Sequence, residues 1–430
     1  MRDVYVFAAL FSLWDGDGMR NLLSWWGFSA VSLMLVVGAV VLIRHERARV
    51  RQLLRSWTAA PLLAFVGVCL VSVAWSNYPL ETLLGSAVQI LTAVIALGIA
   101  VARPPGRLVA IGALMLHVHL ALGVVFELAV ALSPAGRILP FWTDYSANVP
   151  GAYYWSSGLI LKGGRIQGIV GNANLTCFIA VLALVLLAVL WRARAVRPPV
   201  LLGAAALDLM MIGLSRSATA LIAGMAVIAA AAFVMGFRRA GPTVRRVLVA
   251  GGVLAIAVVA LGSSRLSEPV LRLLGRGDDF TGRFEIWRLV GGLVGDRPVL
   301  GWGWIGYWAP WVDPFDRLVI RAGVQYLQAH NAYLDVLMQV GVSGILAFSL
   351  MIGSLVWRSL RLAVVPRPFA ALPLLLTVAL LTQALAESRL LIEGNWALLA
   401  MLSLLVPAAG ATRAVSTAPE DGAVRIQASK

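Results

Sequence analysis

The sequence predicts an all-α polytopic membrane protein with about twelve membrane-spanning helices. Three observations predict it: a high apolar content, a shortage of charge, and the one-sided placement of the charge there is. Of 430 residues, 60% are hydrophobic and 13% are charged, and the mean hydropathy is +0.87. A soluble domain is nearer half apolar and about a quarter charged. Lipid solvates such a surface, and in lipid the backbone must satisfy its own hydrogen bonds, so each span is a helix.

A crossing helix needs roughly 20 apolar residues. The short apolar run 4–14 gives a first span. Clear candidates follow at 28–43, 59–76, 82–102, 107–132, 168–191, 199–214, 217–236, 246–262, 333–357, 370–387 and 390–407. The N-terminus has Asp3 and no small-residue cleavage site, so no removable signal peptide is expected. Gly and Ala recur in these runs, as in AAALDLMMIG and ALIAGMAVIAAAA, which lets helices approach closely.

The loops 44–57, 103–107, 192–198, 237–246 and 358–369 together hold seventeen arginines and one acid, Glu46. The short loops that alternate with them, near 77–81, 215–217 and 388–389, have Arg216 and Arg389 as their basic residues. The positive-inside rule places the first set in the cytoplasm, together with both termini. Residues 1–410 then form one transmembrane domain, and 411–430 a polar cytoplasmic tail expected to be disordered. The net charge of +15 comes almost wholly from arginine, since Lys162 and Lys430 are the only lysines. In a membrane chain it reads as loops held at the cytoplasmic surface rather than as nucleic-acid binding.

Two loops on the outer side are long. Residues 133–166 are aromatic, with Phe141, Trp142, Tyr145, Tyr153, Tyr154 and Trp155. Residues 263–330 carry eight arginines and the cluster Trp302, Trp304, Trp308 and Trp311. Tryptophan at this density argues for packing at the membrane interface, so short interfacial helices are expected there.

Candidate chemistry gathers at the outer boundary. His45 lies in a basic loop and is expected to be solvated, and His117 and His119, two apart in a span, face different sides of their helix. His330, in QAHNAYLDVLMQVGVSG, precedes a helix that Asn331 can cap. A helix N-terminus favours an uncharged imidazole, which can act as a base. Arg216 in GLSRSATA, Arg283 in TGRFEIW, Arg165 in GGRIQGIVGNANLT and Arg389 in the ESR turn form a second constellation. A guanidinium is a permanently charged fork that matches phosphate. A lone arginine at this depth is a snorkelling anchor; four on one face would make a site for a lipid-linked phosphate.

Other signals are negative. There is no HExxH, P-loop or Cys/His cluster, so no metal and no cofactor is expected, and the cytoplasmic loops are too short for a nucleotide-binding domain. Asp278 and Asp279 read as a solvated pair. Cys69 and Cys177, both in apolar runs, read as core residues rather than a disulfide. A transporter should place ionisable residues at the bilayer midplane. Glu127 and Asp208 are the main ones within the spans, which favours an interfacial enzyme.

Five pieces occur in order. They are Arg165 followed by Gly171-Asn172-Ala173-Asn174; Leu214-Ser215-Arg216-Ser217-Ala218; Gly282-Arg283 with Trp287; Asp296-Arg297-Pro298-Val299-Leu300-Gly301-Trp302-Gly303; and His330-Asn331-Ala332-Tyr333-Leu334 with Gly341 and Gly344. Together they cover about 165–345, and as an ordered set the chain resembles the bacterial O-antigen ligase and polymerase superfamily. The resemblance implies a membrane-embedded, GT-C-like glycosyltransferase of lipopolysaccharide biosynthesis. Such an O-antigen ligase passes a glycan from undecaprenyl diphosphate to lipid A–core on the periplasmic face of the inner membrane. It is inverting, metal-independent and uses no nucleotide sugar. The resemblance further implies His330 as general base, Arg216 and Arg283 as catalytic arginines on the diphosphate, and Arg165, Asn331, Arg389, Asn172 and Asn174 as substrate-binding residues. An O-antigen polymerase or a protein O-oligosaccharyltransferase shares donor, fold and motifs. A lipid-linked sugar flippase is the alternative of a different class. The single large outer loop before His330 leans towards a ligase.

Overall fold

The structure, a computed structural model, describes residues 1–55, 57–143, 149–248, 250–252, 277–321 and 323–407. The expected tail 411–430, most of the expected span 246–262, and the Asp278-Asp279 side chains lie outside what is described. Thirteen helices are named here in chain order: α1 (Arg2–Trp14), α2 (Gly16–His45), α3 (Arg47–Arg55), α4 (Ala60–Val71), α5 (Pro79–Ala102), α6 (Pro105–Leu132), α7 (Ala173–Arg192), α8 (Pro198–Ser215), α9 (Ala218–Arg239), α10 (Gly277–Asp296), α11 (Ala332–Ala363), α12 (Leu372–Gln383) and α13 (Glu393–Leu405). Their starts are written in the sequence. Proline occupies the first turn of α4, α5, α6, α8 and α12, where its missing N–H is not needed. Asn172, Ser217 and Asn331 cap α7, α9 and α11 through their side chains.

Among the described residues, seven helices are long and apolar enough to cross a membrane: α2, α5, α6, α7, α8, α9 and α11. The bent pair α3 and α4 makes an eighth if counted as one span. The expected helical kind is matched; the number twelve is not reached among the described residues, which leave out most of the span expected at 246–262. The runs 4–14, 370–387 and 390–407 hold helices of 13, 12 and 13 residues. At 1.5 Å per residue these are about 20 Å long, short of the roughly 30 Å hydrocarbon core. The last two are short because the chain between them turns back through a 3₁₀ turn at Ser388–Leu391. The first gives way at Asp15 to α2, which bends at Ser24 (φ 65°).

The basic loops meet at one end of the bundle. Arg49 donates to the carbonyls of Val101 and Arg103 at 3.2 and 3.0 Å. Arg238 donates to Ala363 and Val365, each at 2.9 Å. Arg358 donates to Ser403 at 3.1 Å and to Val406. These carbonyls belong to the ends of α5, α11 and α13, where four acceptors lack an intrahelical partner. Each guanidinium thus closes a helix and opposes the negative end of its dipole. The loop 44–57 is largely helical, as α3.

Charges within the bundle are answered. Glu127 accepts from the N–H groups of Gln167 and Gly168 at 2.7 and 2.8 Å and from Ser156 Oγ at 2.9 Å. It therefore anchors the aromatic loop to α6. His117 meets Asp208, and His119 meets Asp15, each at 3.2 Å. Cys69 and Cys177 are buried free thiols.

Among its described residues, the second long loop contains a 20-residue helix, α10, longer than the short interfacial helices expected there. It then forms a small core in which Trp308 and Phe315 are fully buried, while Trp304 inserts into the main bundle core against Phe65; a two-stranded antiparallel hairpin, Ile320–Arg321 with Val324–Gln325, closes the loop. Alternation over two residues is too short to have signalled that hairpin. The stretch 298–303 runs along α11 where the helix breaks at Gly341 (φ 62°). Val342 N–H donates to Pro298 at 2.9 Å, and Gly303 N–H to Gln339 at 2.8 Å. A Cβ on Gly341 would lie 2.3 Å from the Val299 carbonyl oxygen, and one on Gly301 2.5 Å from that of Gln339. Two of the sequence motifs are the two sides of this one backbone contact.

Candidate functional site

Short turns at the end opposite the basic loops converge on Glu387, which lies between α12 and the Ser388–Leu391 turn and is 4% exposed. Its Oε1 accepts from Arg283 Nη2 and from Asn174 Nδ2, both at 2.8 Å. Its Oε2 lies 3.0 Å from His330 Nδ1. Asn174 Oδ1 accepts in turn from Arg165 Nη2 and, at 2.9 Å, from Ser217 Oγ. Arg165 Nε donates to the Ser215 carbonyl at 2.8 Å. One carboxylate thus joins α10, α7, the start of α11 and the α8–α9 turn.

Each side chain is held by the local fold. Asn172 Oδ1 accepts from the N–H groups of Asn174 and Leu175, so it caps α7 and sets where Asn174 points. Asn331 does the same for α11 by accepting from Tyr333 and Leu334. Its own N–H donates to Ser388 Oγ at 3.1 Å. His330, immediately before that cap, has a left-handed backbone (φ 50°), an uncommon conformation for a residue with a Cβ. The backbone around it is fixed by Asp335, which accepts from Ala329 N–H at 3.0 Å, from Trp308 Nε1 at 2.8 Å and from Ser388 Oγ. Arg216 is the left-handed residue (φ 49°) between α8 and α9, and it is exposed. Ser215 and Ser217 on either side of it bind Arg165 and Asn174.

Of the sequence-predicted residues, His330, Arg283, Arg165 and Asn174 are brought together directly, and Arg216 lies in the adjoining turn. Asn172 and Asn331 act here as helix caps. Arg389 is placed apart. It pairs with Asp17, and with Glu393 at 3.3 Å, while Arg20 pairs with the same two acids, at 2.5 Å to Glu393. This ring of two arginines and two acids is closed on itself, so Arg389 acts on Glu387 only through its field.

The electrostatics follow from the contacts. Burial acts to raise the Glu387 carboxyl, but His330, Arg283 and Arg389 outweigh it and hold the group down at about 2. An ionised Glu387 can only accept, so His330 Nδ1 is the donor across this contact. Arg283 pairs with this carboxylate directly, and Arg165 is joined to it through Asn174. Among the described residues no group of three or more His, Cys, Asp or Glu is placed to hold a metal ion.

Sequence reasoning left the role of Glu387 open. It sits beside Arg389 in the same short outer turn, in a chain with only 20 acids, and an acid in such a turn opposite a set of arginines was the available signal. The role of Asp335 was equally hidden, because its partners lie on separate segments.

Fold and site define a class: a polytopic helical membrane protein with a histidine, a carboxylate and several arginines gathered at one end of its bundle. Residues 203–349 match the family model described as O-antigen ligase, which supports membership of the O-antigen ligase and polymerase superfamily. The family suggests a glycosyltransferase-like enzyme, with lipid-linked glycans and lipopolysaccharide as its general partners. Arg216, Arg283 and His330 lie inside the matched stretch; Arg165, Asn172, Asn174, Glu387 and Arg389 lie outside it. No curated protein matches the chain.

Proposed function

We propose that this protein is an O-antigen ligase. It transfers an O-polysaccharide from undecaprenyl diphosphate to lipid A–core at the periplasmic face of the inner membrane, within a multi-span, GT-C-like bundle whose termini are cytoplasmic. The observation that carries the reading is the 3.0 Å contact between His330 Nδ1 and Glu387, beside Arg283.

In the reaction, the acceptor sugar hydroxyl attacks the anomeric carbon, and its proton passes to Nε2 of His330. The bond from that carbon to the diphosphate oxygen breaks with its electron pair going to the oxygen. Arg216 and Arg283 stabilise the charge that develops there, and Arg165 adds to the same field. Asn174 holds Arg165 and Glu387 in register, while Asn172 and Asn331 fix the helix starts that carry the site. Attack from the face opposite the leaving group inverts the anomeric centre. No metal or nucleotide sugar takes part.

A reconstituted assay tests this. Purified protein, undecaprenyl-diphosphate glycan and lipid A–core are combined with a chelator and without nucleotide. The expected result is glycan-bearing lipid A, lost in His330→Ala. Bare lipid A–core with a lengthening carrier-bound glycan would make the protein a polymerase instead.

A further inference from the structure

The basic end carries a feature that the glycosyl-transfer site does not use. A cavity of about 330 Å³ opens there between α7, α9 and α12. Its wall is apolar, with Val234, Met235, Leu372 and Leu375, and its rim carries Arg192, Arg238 and Arg367. Arg238 is fixed by the Ala363 and Val365 carbonyls, so it ties the segment leading to Arg367 onto α9. Arg192 and Arg367 are exposed. A second opening, about 640 Å³, shares Arg192 and adds Trp191 and Arg194. Trp191 is 43% exposed beside it, as an indole at headgroup depth is. Among the described residues, neither lining contains an acid.

We propose that this cavity binds an anionic phospholipid of the surrounding leaflet, with the headgroup phosphate on Arg192 and Arg367 and the upper acyl chain against the apolar wall. Guanidinium forks match a phosphodiester. Basic pockets between spans suit acidic headgroups. Beneath the arginines the lining has no uncharged hydrogen-bonding side chain, which suits an acyl chain and not a nucleotide. Three cations with no acid among the described lining residues select net negative lipids over zwitterionic ones.

Native mass spectrometry of the full-length protein in detergent tests the proposal, with phosphatidylglycerol and phosphatidylethanolamine as probes. Wild type should retain phosphatidylglycerol under activation that strips phosphatidylethanolamine. The double variant Arg192→Gln/Arg367→Gln should weaken that retention by about thirtyfold, from roughly a fivefold contribution per arginine, with an unchanged melting temperature in lipid-free detergent. Met235→Trp, which narrows the cavity and keeps every arginine, should weaken it too, and serves alone if the double variant does not fold. Equal retention of the two lipids by wild type, or undiminished phosphatidylglycerol on the folded variants, would overturn the proposal and leave annular contact only.

Discussion

Replacing Glu387 by glutamine changes one charge and almost no volume, and the contacts of the carboxylate fix the orientation of the new amide. Oε1 accepts from two donors, Arg283 and Asn174, at 2.8 Å each. The amide oxygen of Glu387→Gln must take that place, because the opposite orientation would set an NH₂ group against two donors. The amide nitrogen then faces His330 Nδ1 across the 3.0 Å contact. Two donors cannot share that line, so the imidazole proton moves to Nε2. That step removes the lone pair which accepts the acceptor's proton. The expected loss is the general-base contribution, about 10²–10⁴-fold in rate. Arg283 also exchanges a charged partner for a neutral one, a cost of about 1–3 kcal/mol in stability. The assay is the initial transfer rate in proteoliposomes at saturating donor, which separates turnover from donor binding. Glu387→Asp should recover part of the rate. If Glu387→Gln transfers within about threefold of wild type while His330→Ala is inactive, Glu387 does not set the His330 proton and the argument fails.

Neighbouring groups give further expected outcomes. Arg216→Lys and Arg283→Lys keep the charge and lose the planar fork, and each should lower transfer at least about tenfold in the same assay. Arg389→Ala opens the ring with Asp17, Arg20 and Glu393 and leaves two half-buried acids with Arg20 as their remaining partner in it; about 1–3 kcal/mol of stability should go, read by thermal unfolding in detergent, while each folded molecule transfers at close to the wild-type rate. Glu127→Ala strands the donors of Gln167, Gly168 and Ser156, and should cost about 3 kcal/mol or more, again by unfolding. Glu387 is depressed from 4.5 to about 2, so its contribution is complete above pH 4.5 and is lost as pH falls towards 2; Glu387→Gln should lower stability near neutrality without changing its slope there, and flatten the profile between pH 4.5 and 2.

The helical class and the grouping of loops were legible because both rest on local composition: apolar runs, prolines at helix starts, and arginines in alternate loops. The positions of Arg165, Asn174, Arg283 and His330 were legible through capping residues and turn spacing. What joins them was not. Glu387 is 57 residues beyond His330 and 213 beyond Asn174, and a contact over such separations leaves no periodic trace. The same limit explains Arg389, which looks like its outer-face neighbours in sequence until Asp17, 372 residues earlier, takes its guanidinium. Helix lengths were misjudged at 370–387 and 390–407 because hydropathy does not register that the chain unwinds around Glu387 and Ser388.

Arg49, Arg238 and Arg358 have two occupations separated in time. While the chain is being threaded into the bilayer they matter only as charge, and lysine would hold the loops back equally well. Once the bundle closes they matter as shape, since each bridges two carbonyls at the end of a neighbouring helix. A single ammonium is a poor substitute for that spread of donors. Orientation and cohesion are therefore separable: exchanging these three for lysine should leave the threading unaltered and loosen the finished bundle. A chain with only two lysines has its positive charge in the residue that serves both stages.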